Sequence, residues 1–454
     1  MRILRPELKI NPDDPFAEDR LSREPFATEL TTLFQKVSDP LVLNLYAEWG
    51  EGKTTFIKMW QAALRQKGFQ SIYIDAFKHD FMDDPFITIG SSIYAEVNDK
   101  FPKQKELLEA NETFKEKAVS FGKKTFAFTA GLATRIATQG AVSGEDLGEV
   151  GNQLVKQSGD AIENYFKSKF DDSLEQSAFS QLKDQLKDLG AAIKEEQGYP
   201  LLIIVDELDR CRPPFAIELL EKVKHLFSVE NVNFILSTNL RQLRNSIKSV
   251  YGADIDADLY LQKFVTLSTP LPKKEVSSGQ PESYYSAFCA QLVRDYEIEG
   301  SYNKWNPADL SQLVTYYAVH FNLSLRQIEK AIRLLALHFA SGKFSYMQIA
   351  VFIAVLGAID SDSTNKIARK ELGLSDLKIQ FDISVFFEEQ VECEQKSIST
   401  LKYLSPLLML GFGTNQEFNS VDEKWRNSFS NEFWDISERD VPAIIAERML
   451  RYKL

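Results

Sequence analysis

Cysteine and histidine are scarce in this sequence. Its 454 residues include 3 cysteines and 4 histidines, and no two cysteines form a CxxC pair. This spacing supports neither a disulfide framework nor a zinc knuckle. The histidines are scattered too, so we expect them in core or surface roles rather than as metal ligands. A reducing compartment fits best, and residues 1–20 lack the apolar run of a signal peptide. We therefore expect a cytoplasmic protein.

Long apolar runs are missing as well. The most continuously apolar stretch between the two main motifs described below is TFAFTAGLATRIATQGAV, residues 125–142. It contains an arginine, a glutamine and several threonines, whereas a spanning helix needs about 20 mostly apolar residues. We therefore expect no integral membrane span, and a packed or partner-binding helix is the preferred interpretation.

The sequence has no surplus of basic residues. Its 53 lysines and arginines against 65 acidic residues give a formal net charge of -12. This balance argues against a protein that binds nucleic acid over its whole surface, although a local basic patch stays open. Hydrophobic residues at 44% and charged residues at 26% are typical of a soluble globular chain, here long enough for about two or three domains.

Hydrophobic periodicity predicts an α/β fold with a parallel sheet. Residues 41–77 read as strand, helix and strand, which is a βαβ unit. Further apolar strands are expected at 199–206, 232–238 and 263–272. The interval between the second and third strands is mostly helical, and the pattern is helical again from about residue 280 to the end.

This pattern divides the chain into four expected parts. Residues 1–78 and 196–272 form the core with the sheet, and 79–195 form a helical insertion. Residues 273–345 form a lid-like helical region, and 346–454 form a C-terminal all-α region.

The segment AEWGEGKTT, residues 47–55, follows the first predicted strand and opens a helix. In the GxxxxGK[ST] pattern, backbone N–H groups wrap phosphates at a helix N-terminus, whose dipole favours negative charge. The first glycine is replaced by Ala47, but Gly50 and Gly52 still allow close backbone approach. The expected nucleotide-binding residues are Ala47, Glu48, Trp49, Gly50, Glu51, Gly52, Lys53, Thr54 and Thr55.

Three side chains of this loop have expected roles. Lys53 would reach the β- and γ-phosphates, the Thr54 hydroxyl would bind Mg²⁺, and Thr55 could touch the α-phosphate. The alternative is a strand–turn–helix joint with an incidental lysine. Because the flanking strand and helix are both predicted, the nucleotide site is preferred.

The second motif is LLIIVDELD, residues 201–209, an apolar strand that ends in two acids. Asp206 would hold Mg²⁺ through water, and Glu207 would polarise the attacking water. Two arginines follow, Arg210 and Arg212. They are either surface residues, with a salt bridge to Asp209, or arginines that sense phosphate or act on a neighbouring subunit.

Two further residues are candidate catalytic groups. Asn239 follows the fourth predicted strand, where it would orient the hydrolytic water, or cap the next helix, or both. Arg326 lies near the start of a helix in LSLRQIEKAIRLL. It would reach back to the γ-phosphate from a helical lid, or else pair with Glu329 on the helix surface.

Taken together and in this order, several segments resemble the KAP family of P-loop NTPases, within the wider STAND/AAA-like assemblage. The resemblance covers roughly residues 10–340. The segments that carry it are EDRLSREPFATEL, AEWGEGKTTF, YIDAFKHDFMDDPF, IIVDELDRCRP, YGADIDADLYLQKFVTLSTPLP and LSLRQIEKAI.

The resemblance implies a P-loop NTPase sheet that binds ATP and Mg²⁺ and hydrolyses ATP slowly. Many such proteins carry membrane helices in the insertion, and this sequence departs from them there. Ala47 in the loop and Glu207 in place of the commoner second aspartate are further departures. Similar bacterial proteins are linked to exclusion of phage, which implies a defence role here.

Three functional hypotheses follow. The first is an ATPase that couples nucleotide state to conformational change or to assembly, as a homo-oligomer or with a partner protein, through the insertion or the C-terminal region. The second is a scaffold that binds nucleotide without hydrolysing it. The third is a membrane-peripheral protein that uses residues 111–142.

Overall fold

A computed structural model gives the fold. The residues that it describes are 10–80, 172–224, 226–273, 281–298, 307–340, 347–387, 404–423 and 440–450, with positions 85, 90, 92, 93 and 426. The stretch 125–142 and most of the predicted insertion 79–195 lie outside these residues.

The chain divides into two compact units. The sheet unit comprises residues 27–47 and 57–271, and the helical unit comprises residues 1–26, 48–56 and 272–454. Residues 48–55, called the phosphate loop below, therefore belong by their contacts to the helical unit. The predicted domain boundaries divide the chain differently and stay predictions.

Within the described ranges, five strands form the centre of the sheet unit. They pair in the order β2-β3-β4-β1-β5, and every pairing is parallel. All residues of β3 and β4 are buried, as expected of central strands covered on both faces. The strands are β1 Val42–Tyr46, β2 Ser71–Asp75, β3 Leu201–Asp206, β4 Val232–Thr238 and β5 Leu267–Pro270.

Helices flank this sheet. Two of them, α1 and α2, begin in segments of the helical unit and continue in the sheet unit. The helices are α1 Glu24–Lys36, α2 Lys53–Gln66, α3 Asp172–Gln197, α4 Pro213–Val223, α5 Leu240–Tyr251 and α6 Ala257–Leu261, with short 3-10 turns at Phe77–His79 and Leu208–Arg210.

The helical unit has its own hydrophobic core. Its centre is α10, in which nearly every residue is buried, as expected of a helix that is apolar all round and packed within a protein. Its helices are α7 Pro281–Asp295, α8 Pro307–His320, α9 Leu325–Ala340, α10 Met347–Ile359, α11 Ser361–Ala368, α12 Leu374–Phe381, α13 Leu404–Phe412, α14 Asn415–Ser420 and α15 Val441–Leu450, with a 3-10 turn at Ile383–Phe387. No helix among the described residues has the length and apolar character needed to cross a membrane.

The predicted fold class is confirmed: a parallel sheet flanked by helices, with further helices in the described ranges that follow it. All five predicted strands are present, including the one expected within 263–272. The third strand begins at Leu201 rather than at residue 199, because Pro200 has no N–H to donate to a neighbouring strand. Of the expected helical insertion, α3 is the helix that falls within the described ranges.

Trp60 fills the space between α1 and α2 in the sheet unit. Its side chain is fully buried, its indole N–H donates to the Thr31 hydroxyl at 3.0 Å, and its ring lies 6.1 Å from that of Phe34. We expect Trp60→Ala to lower the free energy of unfolding by about 3–5 kcal/mol, because a large buried ring leaves a cavity. Denaturant unfolding measures the loss as a shift of the midpoint.

Trp60→Phe is the matched control for this prediction. It keeps an aromatic ring in the space and removes the indole N–H. The Thr31 hydroxyl retains its bond to the Ala27 carbonyl at 2.7 Å. The control should therefore cost only about 1–2 kcal/mol. Equal losses in the two variants would contradict the packing role.

Candidate functional site

The phosphate loop has the backbone conformation that its glycines allow. Gly50 and Gly52 have φ values of 86° and 76°, in the left-handed region that favours glycine. Ala47 is not among the residues with positive φ, so the missing first glycine causes no strain there. The loop opens directly on α2, where the Phe56 N–H donates to the Gly52 carbonyl at 3.0 Å.

Lys53 folds back over the loop that precedes it. Its ammonium group donates to the Glu48 carbonyl at 3.3 Å. Lys53 and Thr54 are partly buried in the first turn of α2, whereas Thr55 is exposed. A helix N-terminus with a nearby ammonium group is an arrangement that suits a phosphate group.

Arg23 supports the loop from the N-terminal segment. Its side chain is 2% exposed, and its guanidinium donates to the Glu51 carbonyl at 2.9 Å and to the Pro272 carbonyl at 3.1 Å. Asp19 holds the preceding turn, since its carboxylate accepts from the N–H groups of Arg23 and Glu24. From the sequence, Arg23 is only a residue of the KAP-like segment, and no role is predicted for it.

Glu51 is buried within the helical unit. Its carboxylate is 3.0 Å from the Lys273 ammonium, and its side chain is 2% exposed. Burial raises the pKa of Tyr285 to about 12, and the negative charge of Glu51 adds to this shift. The sequence predicted Glu51 only as one residue of the nucleotide loop, and the ion pair with Lys273 was missed.

Helix α9 begins against the same loop. The Arg326 N–H donates to the Gly50 carbonyl at 3.2 Å. The Arg326 side chain itself is exposed. Glu329, which the sequence analysis names as the alternative partner of Arg326, pairs instead with Arg333 at 3.1 Å. The role of Arg326 at the γ-phosphate stays a prediction.

Asp206 ends β3 in the sheet unit and is 1% exposed. One carboxylate oxygen accepts from the Tyr73 hydroxyl at 3.0 Å, and the other accepts from the Glu207 N–H at 2.9 Å. Burial, followed by the charge of Asp206, raises the pKa of Tyr73 well above its usual value. The Asp206 carboxylate therefore has a fixed orientation.

Glu207 has an unusual backbone conformation and a charged neighbour. Its φ is 62°, in the left-handed region that is uncommon for residues other than glycine. Its carboxylate forms an ion pair with Arg210. The sequence analysis names Asp209 as a possible salt-bridge partner of the arginines. It does not predict the pair of Glu207 and Arg210, although these residues are three positions apart. Such strained positions often occur at functional sites.

Arg212 and Asn239 also have structural partners in the sheet unit. The Arg212 N–H donates to the Asp80 carboxylate at 2.8 Å, and its side chain pairs with the same carboxylate at 3.9 Å. The Asn239 side chain accepts from the N–H groups of Arg241 and Gln242, which makes it the N-cap of α5. Its predicted water-orienting role stays a prediction.

The register of the strands brings several of these residues to one edge of the sheet. Asp75 pairs with Asp206, and Tyr46 pairs with Thr238. The residues that follow β1, β3 and β4 therefore lie together at the carboxyl edge, where ligands bind in open parallel sheets. Within the sheet unit this edge collects Ala47, Asp206, Glu207 and Asn239.

As far as the described ranges extend, no three His, Cys, Asp or Glu side chains cluster as a metal centre. The predicted Mg²⁺ site differs from such a cluster, because it draws on a hydroxyl, one carboxylate and oxygens of the nucleotide. Its two protein residues, Thr54 and Asp206, belong to different compact units.

Comparison with known proteins gives a family and structural likenesses, of which one is described here. No curated protein matches the chain. The ORC2 protein of Aeropyrum pernix, in its ADPNP–ADP complexes, is 14% identical over 99% of this chain and 96% of that chain, with a TM-score of 0.37. The model of the KAP family P-loop domain matches residues 23–340. Because this match takes in more than half of the 454 residues, the chain belongs to the KAP family of P-loop NTPases.

Proposed function

We propose that the chain is a Mg²⁺-dependent ATPase whose nucleotide state is coupled to conformational change or assembly. The observation that carries the proposal is the loop with left-handed Gly50 and Gly52, which opens on α2 at Lys53. Left-handed glycines before a helix allow backbone N–H groups to converge at the helix N-terminus, as a phosphate group requires. ATP is preferred over GTP, because no guanine-reading NKxD follows the fourth strand.

The phosphate groups would be held by the loop and by Lys53. The Lys53 ammonium already donates to a backbone carbonyl, and a phosphate oxygen is a stronger acceptor that would replace it. Arg326, exposed at the start of α9, would add positive charge at the transferring group. Thr54 and Asp206 would hold Mg²⁺, which neutralises charge on the phosphates when bound.

Hydrolysis would depend on Glu207 as the base for the attacking water, with Asn239 orienting that water. The ion pair with Arg210 fixes the position of the Glu207 carboxylate. In the same pair, however, the Glu207 carboxylate that must accept a proton is already bound to Arg210. We therefore propose a slow enzyme in which Arg210 must yield before water is activated.

A second candidate function rests on this same pair. If Arg210 never releases Glu207, the chain binds nucleotide and acts as a switch or scaffold without hydrolysis. The output would then be assembly of copies of the chain or recruitment of a partner protein. A role in bacterial phage defence belongs to either form of the proposal, on the family resemblance alone.

Phosphate release by wild type and by Glu207→Gln tests the enzyme. Because a positioned base contributes about 100-fold or more, we expect the variant to lose at least that factor in kcat while it still binds nucleotide. Glu195→Gln is the matched control, since Glu195 is exposed on α3 and should leave the rate unchanged.

The outcomes separate the two candidates. Equal phosphate release from wild type and Glu207→Gln, with nucleotide binding retained in both, removes the enzyme and leaves the switch. If wild type does not bind nucleotide, both candidate functions are excluded. Size-exclusion chromatography with light scattering, with and without a slowly hydrolysed ATP analogue, then reports whether assembly is the output.

A further inference from the structure

Helix α9 takes part of its N-terminal cap from the phosphate loop. The first-turn N–H groups of a helix have no partner within the helix. Ser324 and Gln327 satisfy two of them reciprocally, because the Gln327 N–H donates to the Ser324 hydroxyl and the Ser324 N–H donates to the Gln327 side chain. The Arg326 N–H donates instead to the Gly50 carbonyl at 3.2 Å.

The packing at this contact leaves no space for adjustment. A Cβ atom on Gly50 would lie 2.6 Å from the Arg326 Cβ and 3.5 Å from the Ser324 hydroxyl oxygen. The first distance is shorter than van der Waals contact permits, so the bare backbone of Gly50 is part of the fit. Movement of the loop at Gly50 must therefore move the first turn of α9 or break the bond.

The peptide group between Gly50 and Glu51 has two ends with different partners. Its carbonyl, on Gly50, accepts from Arg326. Its N–H, on Glu51, is one of the loop donors available to a phosphate group. Because a peptide group is planar and rigid, turning the N–H toward a phosphate also turns the carbonyl that caps α9.

The remainder of Glu51 is anchored, which concentrates any such rotation at this peptide group. The Glu51 carbonyl accepts from Arg23 and its carboxylate pairs with Lys273. The Arg326 guanidinium takes no part in these contacts, since its side chain is exposed at the helix start. The link between loop and helix is thus a main-chain link.

We propose that the hydrogen bond from the Arg326 N–H to the Gly50 carbonyl, rather than the Arg326 guanidinium, transmits the conformation of the phosphate loop to α9. The inference rests on the proposed nucleotide binding and adds the route by which a change in the loop reaches α9. It separates two functions of one residue: the side chain serves the γ-phosphate, and the backbone serves the coupling.

Two variants of Arg326 separate these functions. Arg326→Ala removes the guanidinium and keeps the N–H, whereas Arg326→Pro removes both. Proline is tolerated in a first helical turn because the lost N–H has no partner within the helix. Hydrogen–deuterium exchange of residues 325–340 is measured with and without a slowly hydrolysed ATP analogue and Mg²⁺, at saturation for each variant.

We expect a nucleotide-dependent change in the exchange of α9 in wild type and in Arg326→Ala, and its loss in Arg326→Pro. The inference is overturned if Arg326→Pro keeps the change, if Arg326→Ala loses it to the same extent, or if wild type binds the analogue without any change in α9. A wild type that does not bind the analogue overturns the proposed function itself, and the inference with it.

Circular dichroism and thermal melting show whether Arg326→Pro is folded. If it is not, an α-hydroxy acid at position 326 replaces the same N–H by an ester oxygen without introducing a ring. We expect this ester variant to lose the nucleotide-dependent change in the exchange of α9. If it keeps that change, the inference is overturned.

Discussion

Lys53→Ala is expected to abolish nucleotide binding at micromolar concentrations. The Lys53 ammonium bonds the Glu48 carbonyl across the loop, so it lies where phosphate oxygens would replace that carbonyl. Each hydrogen bond to a charged group contributes about 1.5–3 kcal/mol. Loss of two such bonds lowers the affinity by roughly 100-fold or more. Titration with a fluorescent ATP analogue in the presence of Mg²⁺ measures the dissociation constant directly.

Lys58→Ala is the matched control for this result. Lys58 lies on the same helix and is exposed, so its removal changes the net charge equally without touching the loop. The control should bind within about twofold of wild type. Similar affinities for Lys53→Ala and wild type would remove Lys53 from the site and leave the loop as a structural joint between strand and helix.

The strands and the phosphate loop could be predicted because their signals are local. Apolar runs of five to seven residues with polar ends mark the buried strands of a parallel sheet. Gly50 and Gly52 stand where only positive φ closes the turn. Ala47 was the one doubtful position, and its backbone conformation requires no glycine.

The supports of the loop could not be predicted, because they come from distant parts of the chain. Arg23 and Pro272 are 249 positions apart in the sequence, and nothing local indicates that one donates to the other. The same holds for Lys273 with Glu51. These contacts, together with Arg326 on Gly50, explain why the loop groups with the helical unit and not with the strand that precedes it.

Asn239 and Arg210 show how local structure determines the partner of a polar side chain. Asn239 caps α5, as the position after a strand and before a helix allows. Arg210 has a carboxylate partner, but it is Glu207 and not Asp209, because the 3-10 turn at Leu208–Arg210 brings residues three apart to one side. Local backbone geometry thus selects Glu207 rather than Asp209 as the partner of Arg210.

Arg23→Ala is expected to destabilise the helical unit and to weaken nucleotide binding together. The Arg23 side chain is 2% exposed and donates to the carbonyls of Glu51 and Pro272. Its removal deprives two carbonyls of their donors in a buried place, at a cost of about 1–3 kcal/mol each. We therefore expect a total loss of about 2–6 kcal/mol in the free energy of unfolding.

The affinity for nucleotide should fall in the same variant, because the Glu51 carbonyl fixes the part of the loop that carries a phosphate donor. Arg20→Ala is the control: Arg20 is partly exposed and pairs with Glu18, and such a surface pair contributes about 0–1 kcal/mol. Denaturant unfolding and analogue titration are measured on both variants. If Arg23→Ala unfolds at the midpoint of Arg20→Ala, the buried guanidinium does not hold the loop. If it is less stable but binds nucleotide as wild type does, the guanidinium supports the fold alone, and the conformation of the loop is set by its glycines and by α9.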